Sequence, residues 1–153
     1  MGTEADLAPL TMQRVLDILD DMGAAYTVDD DGDILSLWDG NAFYIYTLAD
    51  GSVLQVLGSW GRVVSNAEFD KLLLGANEIH STQLYPRICI EPGDAGMLSV
   101  STRHPGDFRH GATDAQLGLH ISLGISTAVA YFEHLNSLYP DARPAAYNLG
   151  SAG

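Results

Sequence analysis

Hydrophobic residues recur along the first part of the chain with two different spacings, which predict one helix followed by three strands. Apolar residues at helical spacing predict a first helix over residues 9–22, with Pro9 in its first turn. Apolar and polar residues then alternate in three runs, at residues 34–38, 42–49 and 52–57. The runs are separated by short turns rich in aspartate and glycine, so an antiparallel meander is expected.

Two capping patterns mark the starts of the later helices. Ser65 and Glu68 fit a capping box at the start of a middle helix. Thr113 and Gln116 fit a second one, and the final helix that follows is predicted to run to about Leu138. Two further strand patterns lie between these helices, at residues 87–91 and 97–103.

The order of these elements predicts the fold class and the domain boundaries. A helix, a three-stranded meander, a helix, two strands and a helix indicate an α+β domain with a five-stranded antiparallel sheet and helices mainly on one face. One domain is expected over residues 9–138, because a chain of 153 residues can bury one self-sufficient core. Residues 139–153 are rich in alanine, glycine and proline and are predicted to form a flexible tail.

Strand alternation also predicts which side chains share a face of the sheet. The residues expected against the helices are Leu35, Leu37, Phe43, Ile45, Leu54 and Val56. The opposite face is expected to carry Ser36, Gln55 and three candidates for partner binding, Trp38, Tyr44 and Tyr46. Aromatic rings with polar atoms suit a surface that meets a partner. The alternative is that the tail or a loop covers this face.

The final helix is predicted to be apolar on more than one side. Residues 115–132 carry no full charge, and Leu119 and Leu123 lie opposite the main apolar stripe. A second subunit would cover this side, so both leucines are candidate contacts of a homodimer. The first helix is the alternative cover. Polar residues within the segment and the lack of a basic flank argue against a membrane span.

Composition and charge disfavour several classes of function. The formal net charge of −13 disfavours nucleic acids and anionic membranes, because both attract cationic proteins. Cys89 is the only cysteine, which excludes an intrachain disulfide. The acidic N-terminal residues lack the pattern of a signal peptide, so a cytoplasmic location is expected.

No motif in the chain points to catalysis, to a cofactor or to a metal. The five histidines are scattered without the spacing of metal ligands. A nucleophile elbow, a P-loop and a dinucleotide-binding fingerprint are all absent from the sequence. We therefore predict a protein that is not an enzyme, with no catalytic residues, cofactor or metal site.

One basic stretch supports an alternative interpretation. Arg103, His104, Arg109 and His110 lie in a predicted loop that leads into the start of the final helix. Backbone amides at a helix N-terminus favour anions. The alternative function is thus a small-molecule or anion-binding sensor that uses this loop or the aromatic sheet face. The simpler structural interpretation is a solvated connection.

Several short motifs accompany the order of elements. They are Gly58-Ser59-Trp60 at the end of the third strand, Ala76-Asn77-Glu78 in the middle helix, Gly111-Ala112-Thr113 before the final helix, and Gln116-Leu117 within it. On these features the chain, from about Thr11 to Leu138, resembles the YbjN family of bacterial sensory-transduction regulators. Asn77 is interpreted as structural, because a late-helix asparagine can bond local backbone and end a helix.

The resemblance implies a fold and a class of partner. The implied fold is like that of type III secretion chaperones, which are small, acidic, usually dimeric proteins that bind other polypeptides. The resemblance brings no catalytic residues with it. We therefore expect a cytoplasmic protein-binding, chaperone-like or regulatory module whose partner is another polypeptide.

Overall fold

A computed structural model describes residues 7–145 and has an α+β fold, with one curled antiparallel sheet and three α-helices. The helices are α1 (Met12–Asp21), α2 (Phe69–Thr82) and α3 (Asp114–Leu138). The strands are β1 (Tyr26–Val28), β2 (Ile34–Trp38), β3 (Asn41–Leu48), β4 (Val53–Ser59), β5 (Arg62–Ser65), β6 (Arg87–Pro92), β7 (Met97–Asp107) and β8 (Arg143–Pro144). The predicted fold class is confirmed, although the sheet has more strands than the five expected.

The long strand β7 lies at the centre of this sheet. It pairs with β6 along one edge and with β4 and β5, one after the other, along its other edge. Beyond β4 follow β3, β2 and β1, while β8 pairs with the outer edge of β5. The three strands that the sequence did not predict have two to four residues each, which is too short for alternation to be recognised.

The two predicted capping boxes differ in outcome. Thr113 Oγ1 accepts the Gln116 N–H at 3.1 Å and Gln116 Oε1 accepts the Thr113 N–H at 2.9 Å, so this box is present. Ser65 Oγ instead accepts from the Ala67 N–H and begins a short 3-10 turn, after which α2 starts at Phe69. The predicted box at Ser65 is therefore wrong, because a tighter local turn uses its side chain first.

The first helix begins later than predicted, and its start is tied to that of α3. Thr11 caps α1 by accepting the Arg14 N–H, which leaves Pro9 outside the helix. The Arg14 guanidinium donates to the backbone oxygen of Ala112 and to the Asp114 carboxylate, both at 2.8 Å. The N-termini of the two helices are thus held together by one side chain.

Residues 139–145, predicted as the start of a flexible tail, pack against the domain. The Tyr139 ring lies 6.3 Å from the Trp60 ring, and Arg143 pairs with Val63 in the ladder between β8 and β5. The rest of the predicted tail, residues 146–153, lies outside the described range.

A two-residue turn sets the register of β2 against β3. Asp39 and Gly40 both have positive φ, at 52° and 83°, as in the turns that tight hairpins favour. The turn places Trp38 opposite Asn41. This first pair determines which residue of β3 lies opposite each earlier residue of β2. Because side chains alternate, this register decides which residues of β2 face the helices.

The register reverses the predicted faces of β2. Ile34, Ser36 and Trp38 face the helices, whereas Leu35 and Leu37 face the other side. Ser36 is buried there because its Oγ donates to the backbone oxygen of residue 25 at 2.7 Å and accepts the Trp38 Nε1–H at 2.9 Å. The prediction for Leu35, Leu37 and Trp38 was wrong, since alternation indicates two faces but not which one is buried.

Helix α3 approaches the sheet closely at two glycines. A Cβ at Gly124 would lie 2.8 Å from the Cβ of Val56. A Cβ at Gly58 would lie 2.7 Å from a ring carbon of Phe43 and 3.3 Å from the Cβ of Ala128. These distances leave no room for a side chain at either glycine, so both are needed for the close contact between α3 and β4.

Two histidines stack between α3 and β7. The rings of His104 and His120 have centroids 4.5 Å apart, and Tyr85 and Phe108 contact their outer sides edge-on. His120 Nε2 lies 2.9 Å from the backbone oxygen of Leu54. Burial, and then the neighbouring His120, lower the pKa of His104 to about 4. Burial also lowers the pKa of His120.

The close contact between Gly124 and Val56 can be tested with a matched pair of substitutions in α3. Gly124→Ala is expected to lower the free energy of unfolding by about 1–2 kcal/mol, because its methyl group overpacks Val56. Gly118→Ala is expected to raise it by about 0.5–1 kcal/mol, because nothing lies within 4 Å and alanine favours the helix. Urea unfolding measures both values. Equal stabilisation by the two substitutions would contradict the close approach.

Acid is expected to destabilise the fold through the stacked histidines. Each pKa is lower in the folded protein than the ordinary value of 6.5, so below that pH the unfolded chain binds more protons. The stability contributed by the neutral rings is complete above pH 6.5 and is lost as the pH falls toward about 4. Urea unfolding at a series of pH values should show a loss of at most about 1.4 kcal/mol per pH unit for each histidine.

Two variants separate this effect from general acid sensitivity. His104→Phe keeps a buried ring without a titrating group, so its unfolding free energy should depend less steeply on pH. His134→Asn, at an exposed position of α3 outside the stacked pair, provides the control. An unchanged slope in His104→Phe would show that His104 does not contribute.

Candidate functional site

The face of the sheet turned away from the helices is called the outer face here. One row of directly opposite residues crosses it: Leu35, Tyr44, Leu57, Arg103 and Arg87, from β2, β3, β4, β7 and β6. Residues opposite one another in a ladder project from the same face. The row is therefore apolar at one end and cationic at the other.

Two neighbouring rows complete the outer face. One consists of Leu37, Ala42, Ser59, Ser101 and Cys89, and the other of Tyr46, Gln55 and Pro105. Leu37 is 53% exposed, and the apolar end of the first row, which consists of Leu35, Tyr44 and Leu57 and is called the apolar row, is half-buried. The helices pack on the opposite face, where α3 contacts β3, β4 and β7. The described part of the chain thus leaves apolar groups of the outer face open to solvent.

The structure brings together two of the three predicted aromatic residues. Tyr44 and Tyr46 lie on the outer face, as expected. Trp38 does not, because it belongs with the residues of β2 that face the helices. Leu35 and Leu57 were missed as members of this surface. The turn at Asp39-Gly40 was the available signal for Leu35, because a two-residue hairpin turn determines the register.

The two candidate leucines of α3 lie on the other side of the molecule. Leu119 is 62% exposed and Leu123 is half-buried. Helix α1 contacts α3 and buries Val15 and Leu19, yet it leaves Leu119 uncovered. Helix α1, the alternative cover for this side of α3, therefore covers it only in part.

The length and apolar composition of α3 would also allow it to cross a membrane. The core helix of a soluble protein can have the same length and composition. Nine residues of α3 are buried within the structure, among them Leu117, Ile121 and Phe132. These buried residues place one side of α3 in the core of the fold.

The four residues of the predicted anion-binding loop do not converge. Arg103 lies on the outer face, while His104 points to the helices, because the supposed loop is the second half of β7. Arg109 forms an ion pair with Asp107 at 2.6 Å, and this contact lowers the pKa of Asp107. His110 is exposed. The predicted site formed by these four residues together is therefore wrong.

Residues of the motifs behind the family resemblance have different structural roles. Trp60 is only 1% exposed, and its Nε1–H donates to Asn136 Oδ1 at 2.8 Å. Asn77 is exposed within α2 and makes no side-chain hydrogen bond to any residue between 7 and 145. The helix continues to Thr82, so the expected helix-ending role of Asn77 is wrong.

Within residues 7–145, no group of three or more histidine, cysteine, aspartate or glutamate side chains is arranged so that it could bind a metal ion.

Comparison with protein families gives one match over most of the chain. The YbjN family, described as "Putative bacterial sensory transduction regulator", matches residues 11–137. No curated protein sequence matches the chain significantly.

Solved structures with the same fold have low sequence identity to the chain. The YbjN protein of E. coli has a TM-score of 0.73 at 13% identity, with 92% of this chain and 100% of that chain covered. An uncharacterized protein from Methanothermobacter thermautotrophicus has a TM-score of 0.59 at 10% identity, covering 84% and 98%. A chain of the HopA1-SchA chaperone-effector complex has a TM-score of 0.52 at 14% identity, covering 84% and 99%.

These likenesses concern the fold, and the family match concerns the sequence itself. The matched segment begins at the cap of α1 and ends one residue before the last residue of α3, so it includes all three helices and seven of the eight strands. The chain therefore belongs to the YbjN family.

Proposed function

We propose that this protein is a non-enzymatic, cytoplasmic module that binds another polypeptide in a chaperone-like or regulatory role. The outer face is the proposed binding surface. The observation that carries the proposal is the half-buried apolar row of Leu35, Tyr44 and Leu57, beside the exposed Leu37 and the half-buried Tyr46.

The chemistry of this row suits an apolar segment of a partner. Leucine side chains supply area for the hydrophobic effect, and tyrosine adds a hydroxyl that can remain hydrogen-bonded at an interface. Apolar groups gathered on one face of a sheet are characteristic of protein interaction sites. Likeness of fold to a chain of a chaperone-effector complex supports the same class of partner, although it does not identify one.

Site-specific photo-crosslinking tests the outer face with a matched control. A photoreactive residue at Leu37, which is 53% exposed on the outer face, is expected to capture a discrete polypeptide in the cell that produces the protein. The same residue at Leu74, which is 64% exposed on α2, is expected not to capture it. Mass spectrometry identifies the product. Capture of the same polypeptides from both positions would contradict a specific surface.

The apolar row can then be tested with the captured partner. The double substitution Leu35→Ser and Tyr44→Ser is expected to weaken binding by at least about tenfold, because central apolar contacts dominate such interfaces. The control Leu73→Ser and Leu74→Ser removes exposed apolar groups from α2 and should leave affinity unchanged. An equal loss of affinity in both double variants would contradict binding at the outer face.

A second proposal concerns self-association through the other side of the molecule. We propose that two copies pair through the exposed side of α3 at Leu119 and Leu123. With a net charge of −13, two copies repel each other over most of their surfaces. The stretch of α3 from residue 115 to 132 is free of charged side chains, so it is suited to a two-fold contact.

Light scattering at micromolar concentration tests the homodimer. We expect a mass about twice the 16.4 kDa of one chain for the unaltered protein, and the single-chain mass for Leu119→Asp. Leu74→Asp adds the same charge at a similarly exposed leucine and should leave the mass unchanged. Because α3 and the outer face are on opposite sides, Leu119→Asp should also retain cross-linking from Leu37. A single-chain mass for the unaltered protein would refute the dimer.

A further inference from the structure

Two arginines lie side by side on the outer face, and neither forms an ion pair with any residue from 7 to 145. Arg87 and Arg103 are directly opposite one another in the ladder between β6 and β7. Like charges in this position repel and destabilise a sheet. The ion pairs of the described residues are Arg14 with Asp114 and Arg109 with Asp107, so neither arginine of this pair has an acidic partner between residues 7 and 145. The chain has 20 acidic and only 7 basic residues, so two adjacent cations are a local exception to its negative charge.

Polar atoms beside the arginine pair also lack hydrogen-bond partners. Nε of Arg103 is buried and has no partner among the described residues. Gln55 is only 5% exposed, and its Oε1 is buried without a partner as well. Buried polar groups are normally hydrogen-bonded, so an unpaired donor on Arg103 beside an unpaired acceptor on Gln55 marks a place where a polar ligand could bind. The amide can present its NH₂ group to an anion by rotation about the last side-chain bond.

These groups line one cavity at the edge of the outer face. Its volume is about 430 Å³, and its walls also include His80 and Leu84 from the end of α2 and the segment after it, and Pro105 from β7. His80 Nε2 accepts the backbone N–H of Ile88 at 3.0 Å. The neutral ring therefore carries its hydrogen on Nδ1, which provides another donor. The volume is in the range of sites for small organic ligands.

We propose that this cavity, the arginine pocket, binds a small organic anion through its carboxylate or phosphate group. Guanidinium groups form paired hydrogen bonds with both of these groups, and such charge-assisted bonds are stronger than neutral ones. The anion removes the repulsion between Arg87 and Arg103 and supplies an acceptor for Arg103 Nε. The Gln55 amide donates to the same group, and Leu84 and Pro105 contact the organic part of the ligand.

This site differs from the loop predicted from sequence, and it does not require a polypeptide partner. Of the four residues of that loop, only Arg103 belongs to the arginine pocket. The other contributors are Pro105 of β7 and residues from β4, β6, the end of α2 and the segment after it, which are far apart in the chain. Binding at the pocket and cross-linking from Leu37 are separate measurements, so either proposal can fail without the other.

Nuclear magnetic resonance of the arginine side chains tests the pocket directly. Inorganic phosphate and succinate are titrated separately into the full chain at constant ionic strength, with sodium chloride as the reference. We expect a saturable shift of the Arg103 Nε–H resonance with at least one of the two probes. Phosphate alone would assign a phosphate-binding site, and succinate alone a carboxylate-binding site. The absence of saturation with both probes, or an equal shift with chloride, would overturn the proposal.

Substitutions with the same change in charge provide the control. Arg87→Gln is expected to weaken probe binding by at least about tenfold, the loss of one charge-assisted contact. Because Arg87 is exposed, this variant should fold normally. Arg143→Gln removes an exposed arginine of β8 and should leave binding unchanged. Equal weakening by both substitutions would indicate attraction by net charge alone and would overturn the pocket.

Discussion

The close contact between α3 and the sheet is the interaction on which the rest of the structure depends. With glycine at positions 124 and 58, the helix backbone approaches β4 more closely than any side chain would permit. One long side of α3 is buried on the strands as a result, and this burial supplies much of the hydrophobic core. Helix α1 packs against α3, and α2 packs against β6 beside α3.

The packing of α3 on one face of the sheet has a direct consequence for function. A single antiparallel sheet can expose its other face to water, and here that face carries an apolar row as well as polar groups. The proposed polypeptide surface is therefore a product of the layer arrangement. The exposed side of α3 is separated from it by the thickness of the domain, so self-association and partner binding need not compete for the same surface.

The distribution of charge distinguishes the two ends of the outer face. Acidic residues outnumber basic ones almost threefold in the chain, which makes most of the surface repulsive to anions. Arg87 and Arg103 form a local exception at the edge of the sheet, beside the apolar row. Neither arginine has an acidic partner within residues 7–145, and an oxyanion in this cavity can accept from both guanidinium groups and from the NH₂ group of the turned Gln55 amide.

Local interactions determined what the sequence predicted correctly. The α+β class, the order of helices and main strands, the cap at Thr113 and the family resemblance all depend on neighbours a few residues apart. Strand alternation also accounts for the placement of Tyr44 and Tyr46 on one face, since they are two positions apart in one strand. At Ser65, however, the side chain caps a short 3-10 turn in place of the capping box that the sequence predicts.

Only the tertiary structure decided which face of the sheet each strand residue occupies and which distant residues it contacts. The turn at Asp39-Gly40 sets a register that buries Ser36 and turns Leu35 outward, because a shift of one residue exchanges the two faces of a strand. Arg87 and Arg103 become neighbours through pairing of β6 with β7, and Gln55 joins them from β4. The sequence by itself determined the elements and their order, since these depend on short-range contacts. The candidate sites required long-range strand pairing, which no local pattern encodes.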